Sequence, residues 1–166
     1  MEDYIKTSDL ALLTEGYELT MADGFMGAGM KDTVAYFDLF FRRVPDNGGG
    51  GVGGGGGFRR VPDNGGFAIA AGLSKVIDYL EHLHFREEDI KYLKSKGISD
   101  ELASYLKDFK FTCDVWAIPE GTPIFPNEPI IKVRGPIIEA QLIETMLLLS
   151  INQQSLIATK ANRLVR

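Results

Sequence analysis

Apolar positions recur at helical spacing over residues 8–26, where Leu10, Leu13, Tyr17 and Met21 form one stripe. Gly24, Gly27 and Gly29 follow as stop signals. The period then changes. Over residues 34–41, Ala35, Phe37 and Leu39 alternate with Tyr36 and Asp38, the two-residue repeat of a strand. Helical spacing returns over residues 67–83 through Ile69, Leu73, Val76, Ile77 and Leu80. Residues 86–96 predict a shorter helix. Glu87, Glu88 and Asp89 open it, Lys94 and Lys96 close it before Gly97, and that charge order suits the helix dipole. Ser99, with Asp100 and Glu101, opens a third, which carries Leu102, Tyr105, Leu106 and Phe109.

From Lys110 onward Phe111, Cys113, Val115 and Ala117 alternate with Thr112, Asp114 and Trp116, a half-buried strand. Short strands at residues 122–125 and 129–133 are separated by the turn cluster Pro126-Asn127-Glu128. Gly135-Pro136 then predicts the start of one long helix running to the end of the chain through Ile138, Leu142, Met146, Leu149 and Ile157. It is apolar around much of its circumference, so it must be covered by something. The order of elements implies an α+β fold. Residues 1–135 form a helix-plus-antiparallel-sheet domain in this reading, and residues 136–166 a helix leading out of it.

Composition changes this picture at one place. Gly accounts for 19 of the 166 residues, and the stretch from Gly48 to Gly57 is glycine except for Val52. The tract lies inside a duplication, because residues 41–49 recur without change as residues 58–66. A short identical copy without drift reads as an insertion over residues 41–57, a flexible tether rather than an architectural repeat. The second copy, continuous with the next predicted helix, is expected to hold the structural role. A G-x-G-x-x-G match at Gly51, Gly53 and Gly56 has no strand before it and no helix opening on its last glycine, so dinucleotide binding is rejected. Residues 24–31 fail as a phosphate loop because Met30 follows Gly29 where the amine of a lysine is needed.

Net charge is −5, from 18 Lys and Arg against 23 Asp and Glu, the wrong balance for a protein that wraps nucleic acid. Cys113 is the only cysteine, which excludes an intrachain disulfide and a CxxC zinc site, and favours a reducing, cytoplasmic compartment. No apolar run approaches the ~18 residues that span a bilayer, and residues 1–20 carry Glu2, Asp3 and Asp9 in place of a secretory leader. His82 and His84, two apart, do not share a helical face and read as surface residues.

Four strings in series are specific where each alone is modest. They are residues 12–21 (LLTEGYELTM), residues 37–40 joined to 58–60 and 66–73 (FDLF, FRR, GFAIAAGL), residues 117–129 (AIPEGTPIFPNEP), and residues 135–145 continued by 157–163. Together they resemble the N-terminal part of nicotinate phosphoribosyltransferase, over essentially all of residues 8–166 outside the insertion. The resemblance implies an N-terminal α+β domain packed on an α/β barrel in a homodimer. It implies an enzyme of NAD salvage that joins nicotinate to 5-phosphoribosyl 1-pyrophosphate, with Mg²⁺ on the pyrophosphate and ATP hydrolysis coupled through a phosphorylated histidine. The motifs for that histidine and for the phosphate loops have no match here. The isolated chain is therefore expected to be inactive, without residues of its own for Mg²⁺ or ATP.

The resemblance also implies site residues. Tyr17 matches a tyrosine that offers its ring as a stacking platform in the partner subunit's site. Without the resemblance, its place on the apolar stripe suggests core packing. Arg59 and Arg60 match a pair suited to donor phosphates, against the plainer alternative of a solvated basic loop. Thr159, Lys160 and Arg163 match the string that enters the barrel, though Asn162 stands where a small residue is more usual. The plainer reading of Lys160, Arg163 and Arg166 is dipole compensation at a helix end. The competing reading of the whole chain is a non-catalytic dimerisation or ligand-binding module, to be told apart by whether Ile138, Leu142, Met146 and Leu149 are covered within this chain.

Overall fold

The computed structural model describes residues 10–42 and 66–165, without the side chain of Arg163. Most of the duplication and the glycine tract lies outside the described residues, as do Arg59, Arg60 and Arg166. Of the first copy, Phe41 is described. It is buried, and its carbonyl accepts from the Asn127 amide at 2.7 Å, so the first copy also contributes to the core.

The chain is α+β. Helix α1 spans Gly16–Gly27 and strand β1 Val34–Phe40. The second described segment holds β2 (Ala68–Ile69), α2 (Leu73–His82), α3 (Glu87–Ser95), α4 (Asp100–Lys107), β3 (Asp114–Ala117), β4 (Pro123–Ile124), β5 (Pro129–Pro136), α5 (Ile137–Leu142) and α6 (Glu144–Leu164). One antiparallel sheet has the order β1-β5-β3, with Tyr36 opposite Arg134 and Arg134 opposite Asp114. A two-stranded ribbon pairs β2 with β4, Ala68 opposite Ile124.

Alternation along β1 is as the sequence predicts: Tyr36 and Asp38 are exposed while Ala35, Phe37 and Leu39 turn inward. Buried Ile131 and Val133 of β5 meet a core that includes Leu102, Leu106, Ile138, Leu142 and Met146. The outer face carries a row in which Arg134 reaches the Tyr36 hydroxyl (2.9 Å) and Asp114 (3.1 Å). The charge order of α3 and the cap of α4 also match. Arg86 precedes α3, and the Ser99 hydroxyl accepts from the Leu102 amide at 3.1 Å.

Three expectations are corrected. Helix α1 begins at Gly16, because Leu10–Leu13 closes a turn and Thr14 and Glu15 are committed to capping. Its buried face is Glu18, Ala22 and Met26, so the predicted stripe is rotated by one residue. Residues 68–69 are strand rather than helix. Their backbone pairs with β4, and α2 starts only after Gly72, whose φ of 105° and closeness to the Ser150 carbonyl (2.6 Å from an added Cβ) admit glycine alone. Finally, β5 continues through Pro136, and the single long helix is two, broken at Ile143.

The ribbon is stitched to α6 by two hydroxyls one turn apart. Thr159 accepts from the Ile69 amide at 2.8 Å, and Ser155 accepts from the Ala71 amide at 3.1 Å. Both side chains are fully buried, and these bonds satisfy backbone donors that β4 does not reach. Glu120, in the turn before β4, accepts from the Gly72 (2.7 Å) and Ser74 (3.3 Å) amides and so caps α2 with a carboxylate.

Candidate functional site

The first turn of α1 packs against the junction of α5 and α6. Glu18 is fully buried, and its carboxylate accepts from the Thr14 hydroxyl, the Glu15 amide (3.0 Å) and the Thr145 hydroxyl (2.9 Å). One turn along, the Gln141 amide nitrogen lies 3.2 Å from the Met21 sulfur, and the buried Gln141 carbonyl oxygen has no hydrogen-bond partner among the described residues.

Tyr17, beside Glu18, keeps 45 % of its surface exposed, with Met21 exposed next to it. The Glu144 carboxylate is an electrostatic neighbour of its hydroxyl. Burial, then the charges of Glu144, Glu18 and Glu15, push the phenol up to about 12, so the ring is neutral at physiological pH. Burial first, and then Glu18, raise the Glu144 carboxyl above the ordinary value. The arrangement offers a flat, neutral aromatic face, suited to stacking on another flat ring.

The other candidate residues do not gather around Tyr17. Thr159 lies far along α6 with its hydroxyl shared between the Ile69 amide and, at 2.6 Å, the Ser155 carbonyl. Lys160 follows it on the exposed side of α6. Arg163 lies in the last turn of that helix.

A cavity of about 460 Å³ opens elsewhere, between the end of α1, α4 and α5. Its charged lining is Lys31, Glu101, Asp108, Lys110 and Glu139, three acids against two lysines. That balance does not suit a phosphate. Glu139 is buried there and accepts from the Thr112 amide at 2.6 Å. Burial, and then Glu139, push the neighbouring Cys113 thiol up to about 12, which leaves it unreactive. His82 and His84 are exposed, and their Nδ1 atoms lie 2.7 Å from the Asp78 carbonyl and 2.8 Å from the His82 carbonyl. Among the described residues no group of three or more His, Cys, Asp or Glu could hold a metal ion.

Residues 57–152 match the model of the nicotinate phosphoribosyltransferase (NAPRTase) N-terminal domain. The chain belongs to the nicotinate phosphoribosyltransferase family. It is 43 % identical to nicotinate phosphoribosyltransferase pncB2 of Mycobacterium tuberculosis over 156 residues, 93 % of this chain and 30 % of that protein. It is 38 % identical to nicotinate phosphoribosyltransferase of Bacillus subtilis over 165 residues, 99 % of this chain and 30 % of the relative. The crystal structure of human nicotinic acid phosphoribosyltransferase superposes with a TM-score of 0.74 at 35 % identity, covering 91 % of this chain and 28 % of the human one. The chain therefore spans about a third of the length of the relatives it matches.

Against the nicotinate phosphoribosyltransferase family, the surroundings of Tyr17 gain interest. Sequence reasoning singled out Tyr17, found no partner spacing for acid-base work at Glu144, and gave Glu18 and Thr145 no role. The signal within reach was Thr14-Glu15 followed by Glu18, a helix-start pattern just before the predicted apolar stripe. No local pattern pairs Glu18 with Thr145, 127 positions away.

Proposed function

We propose that this chain serves as the N-terminal domain of a nicotinate phosphoribosyltransferase in NAD salvage, joining nicotinate to 5-phosphoribosyl 1-pyrophosphate. The observation that carries the reading is the half-exposed Tyr17 ring, set on a helix whose first turn is pinned to α6 through Glu18. Transfer to an oxocarbenium-like ribose depends on holding a flat nucleophile in line, and an anchored ring does this by stacking. In this reading Tyr17 reaches into the site of a second subunit of a cytoplasmic homodimer.

Arg59, Arg60, Lys160, Arg163 and Thr159 meet the donor phosphates in the same reading. For Thr159 this requires its hydroxyl to give up the Ile69 amide or the Ser155 carbonyl. Mg²⁺ neutralises the pyrophosphate in the family reaction, and ATP is coupled to it. No described cluster of this chain fits the ion, so no step is derived through it.

The surface of α6 supports the same reading. Ile138, Leu142 and Met146 are covered within the chain, but Leu149 is 51 % exposed beside exposed Leu148 and Ile157. That apolar strip suits a further domain packed on α6. The covered half of the helix pair is what favours the alternative, a non-catalytic module.

The test is a chimera in which this chain replaces the matching segment of the Bacillus subtilis enzyme. The chimera should form nicotinate mononucleotide, and the isolated 166-residue chain should not, with or without ATP. Tyr17→Ala in the chimera should raise KM for nicotinate about tenfold, the ratio carried by one aromatic contact. An inactive chimera that is folded, or an unchanged KM, refutes the reading.

A further inference from the structure

We propose that Glu18 and Thr145 form a clamp that sets the position of the Tyr17 ring, making both of them positioning residues for the flat acceptor base. The inference rests on the reading of Tyr17 given above. A fully buried carboxylate is costly unless its oxygens are occupied by donors. Glu18 meets that requirement with two local donors, the Thr14 hydroxyl and the Glu15 amide, and one distant donor, the Thr145 hydroxyl at 2.9 Å.

Helix capping accounts for the local pair only. A capping glutamate can sit at the surface and still close the first turn. Burial of Glu18 and its bond to α6 go beyond capping, and they tie the turn that carries Tyr17 to a second helix. The neighbouring contacts run in step with this one. Thr145 meets Glu18 and Gln141 meets Met21, so two contacts fasten α1 to the α5–α6 junction. The break at Ile143 starts α6 at Glu144, which brings Glu144 and Thr145 into its first turn beside α1. The turn that carries Tyr17 is thus held to α6 by the Glu18 clamp.

The chimera described above carries the test. Thr145→Val keeps the shape and removes the donor. It should raise KM for nicotinate about fivefold, the ratio one net hydrogen bond carries, while KM for the ribosyl donor stays within about twofold. Thr145→Ser should restore the parent value. In a Tyr17→Ala background Thr145→Val should add no further loss, because the residue it acts through is gone. If Thr145→Val blocks folding, Glu18→Gln in the same two backgrounds reads the same coupling. The inference is overturned if Tyr17→Ala raises KM and Thr145→Val does not, and that result leaves the reading of Tyr17 standing. Equal losses with and without Tyr17, or a serine variant as impaired as valine, also overturn it. An unchanged KM in Tyr17→Ala removes the reading and the clamp together.

Discussion

Gly135 lies in β5 opposite Ala35 of β1, and on its other side the backbone of Cys113 comes close just before β3 begins. A Cβ added at Gly135 would stand 2.4 Å from the Cys113 sulfur, 2.8 Å from its Cβ and 2.9 Å from its Cα. The sulfur can swing to another rotamer, but the Cα and Cβ move only with the strand. Ordinary carbon–carbon separation is about 3.5–4.0 Å, so this end of β3 must retreat by roughly 0.6 Å or more. Retreat strains the pairing of Asp114 with Arg134 in the ladder next to it. Overpacking of this kind costs about 1–3 kcal/mol, and a clash against backbone belongs at the upper end. At about 2–4 °C per kcal/mol for a chain of this size, Gly135→Ala should lower Tm by about 6–12 °C.

Thermal unfolding followed by circular dichroism, with urea titration alongside, measures the effect. Gly24→Ala is the control. Among the described residues nothing lies within 4 Å of its added Cβ, and in the interior of α1 the change should stabilise by about 0.5–1 kcal/mol. Cys113→Gly in the Gly135→Ala background should recover part of the loss, since it removes the sulfur and the Cβ and leaves only the backbone carbon in the way. A Tm drop under about 2 °C for Gly135→Ala, or no recovery with Cys113→Gly, would refute the steric argument.

Two further predictions concern stability. Deleting residues 41–57 leaves Phe58 directly after Phe40, and the product is identical to one that keeps Phe41 and loses residues 42–58. The buried phenylalanine is therefore retained and the connection shortened, so Tm should hold or rise; a fall of more than about 5 °C would show that the insert is structural. The Arg86 guanidinium donates to both oxygens of buried Asp89 at 3.0 and 3.1 Å and, outweighing burial, holds its carboxyl below the usual range. Since the folded state lowers this carboxyl, its contribution is present above the unfolded value near ~4 and is lost as pH falls through the folded one. Asp89→Asn should cost about 1–3 kcal/mol at pH 7 and flatten the acid limb of the stability profile, and an unaltered limb would count against the pairing.

What was legible in the sequence was whatever depends on near neighbours. Alternation in β1, the Ser99 cap and the charge order of α3 are written within a few residues, and local sterics and capping enforce them. The four family strings were legible for a different reason, since a resemblance needs only residue identity and order. The rotation of α1 was not legible. A periodicity count treats Glu18 as a solvent residue, whereas burial of its carboxylate is made possible by a hydroxyl supplied from α6. The strand at residues 68–69 has apolar neighbours that fit a helix equally well, and pairing with β4 and the Thr159 hydroxyl decide between them. The extension of β5 through Pro136 and the break at Ile143 likewise depend on what packs against the chain there. Short-range preferences thus determined most elements, and residue identity and order the family, while the link from Glu18 to α6 came from tertiary structure, because a buried polar group is stable only where donors converge on it.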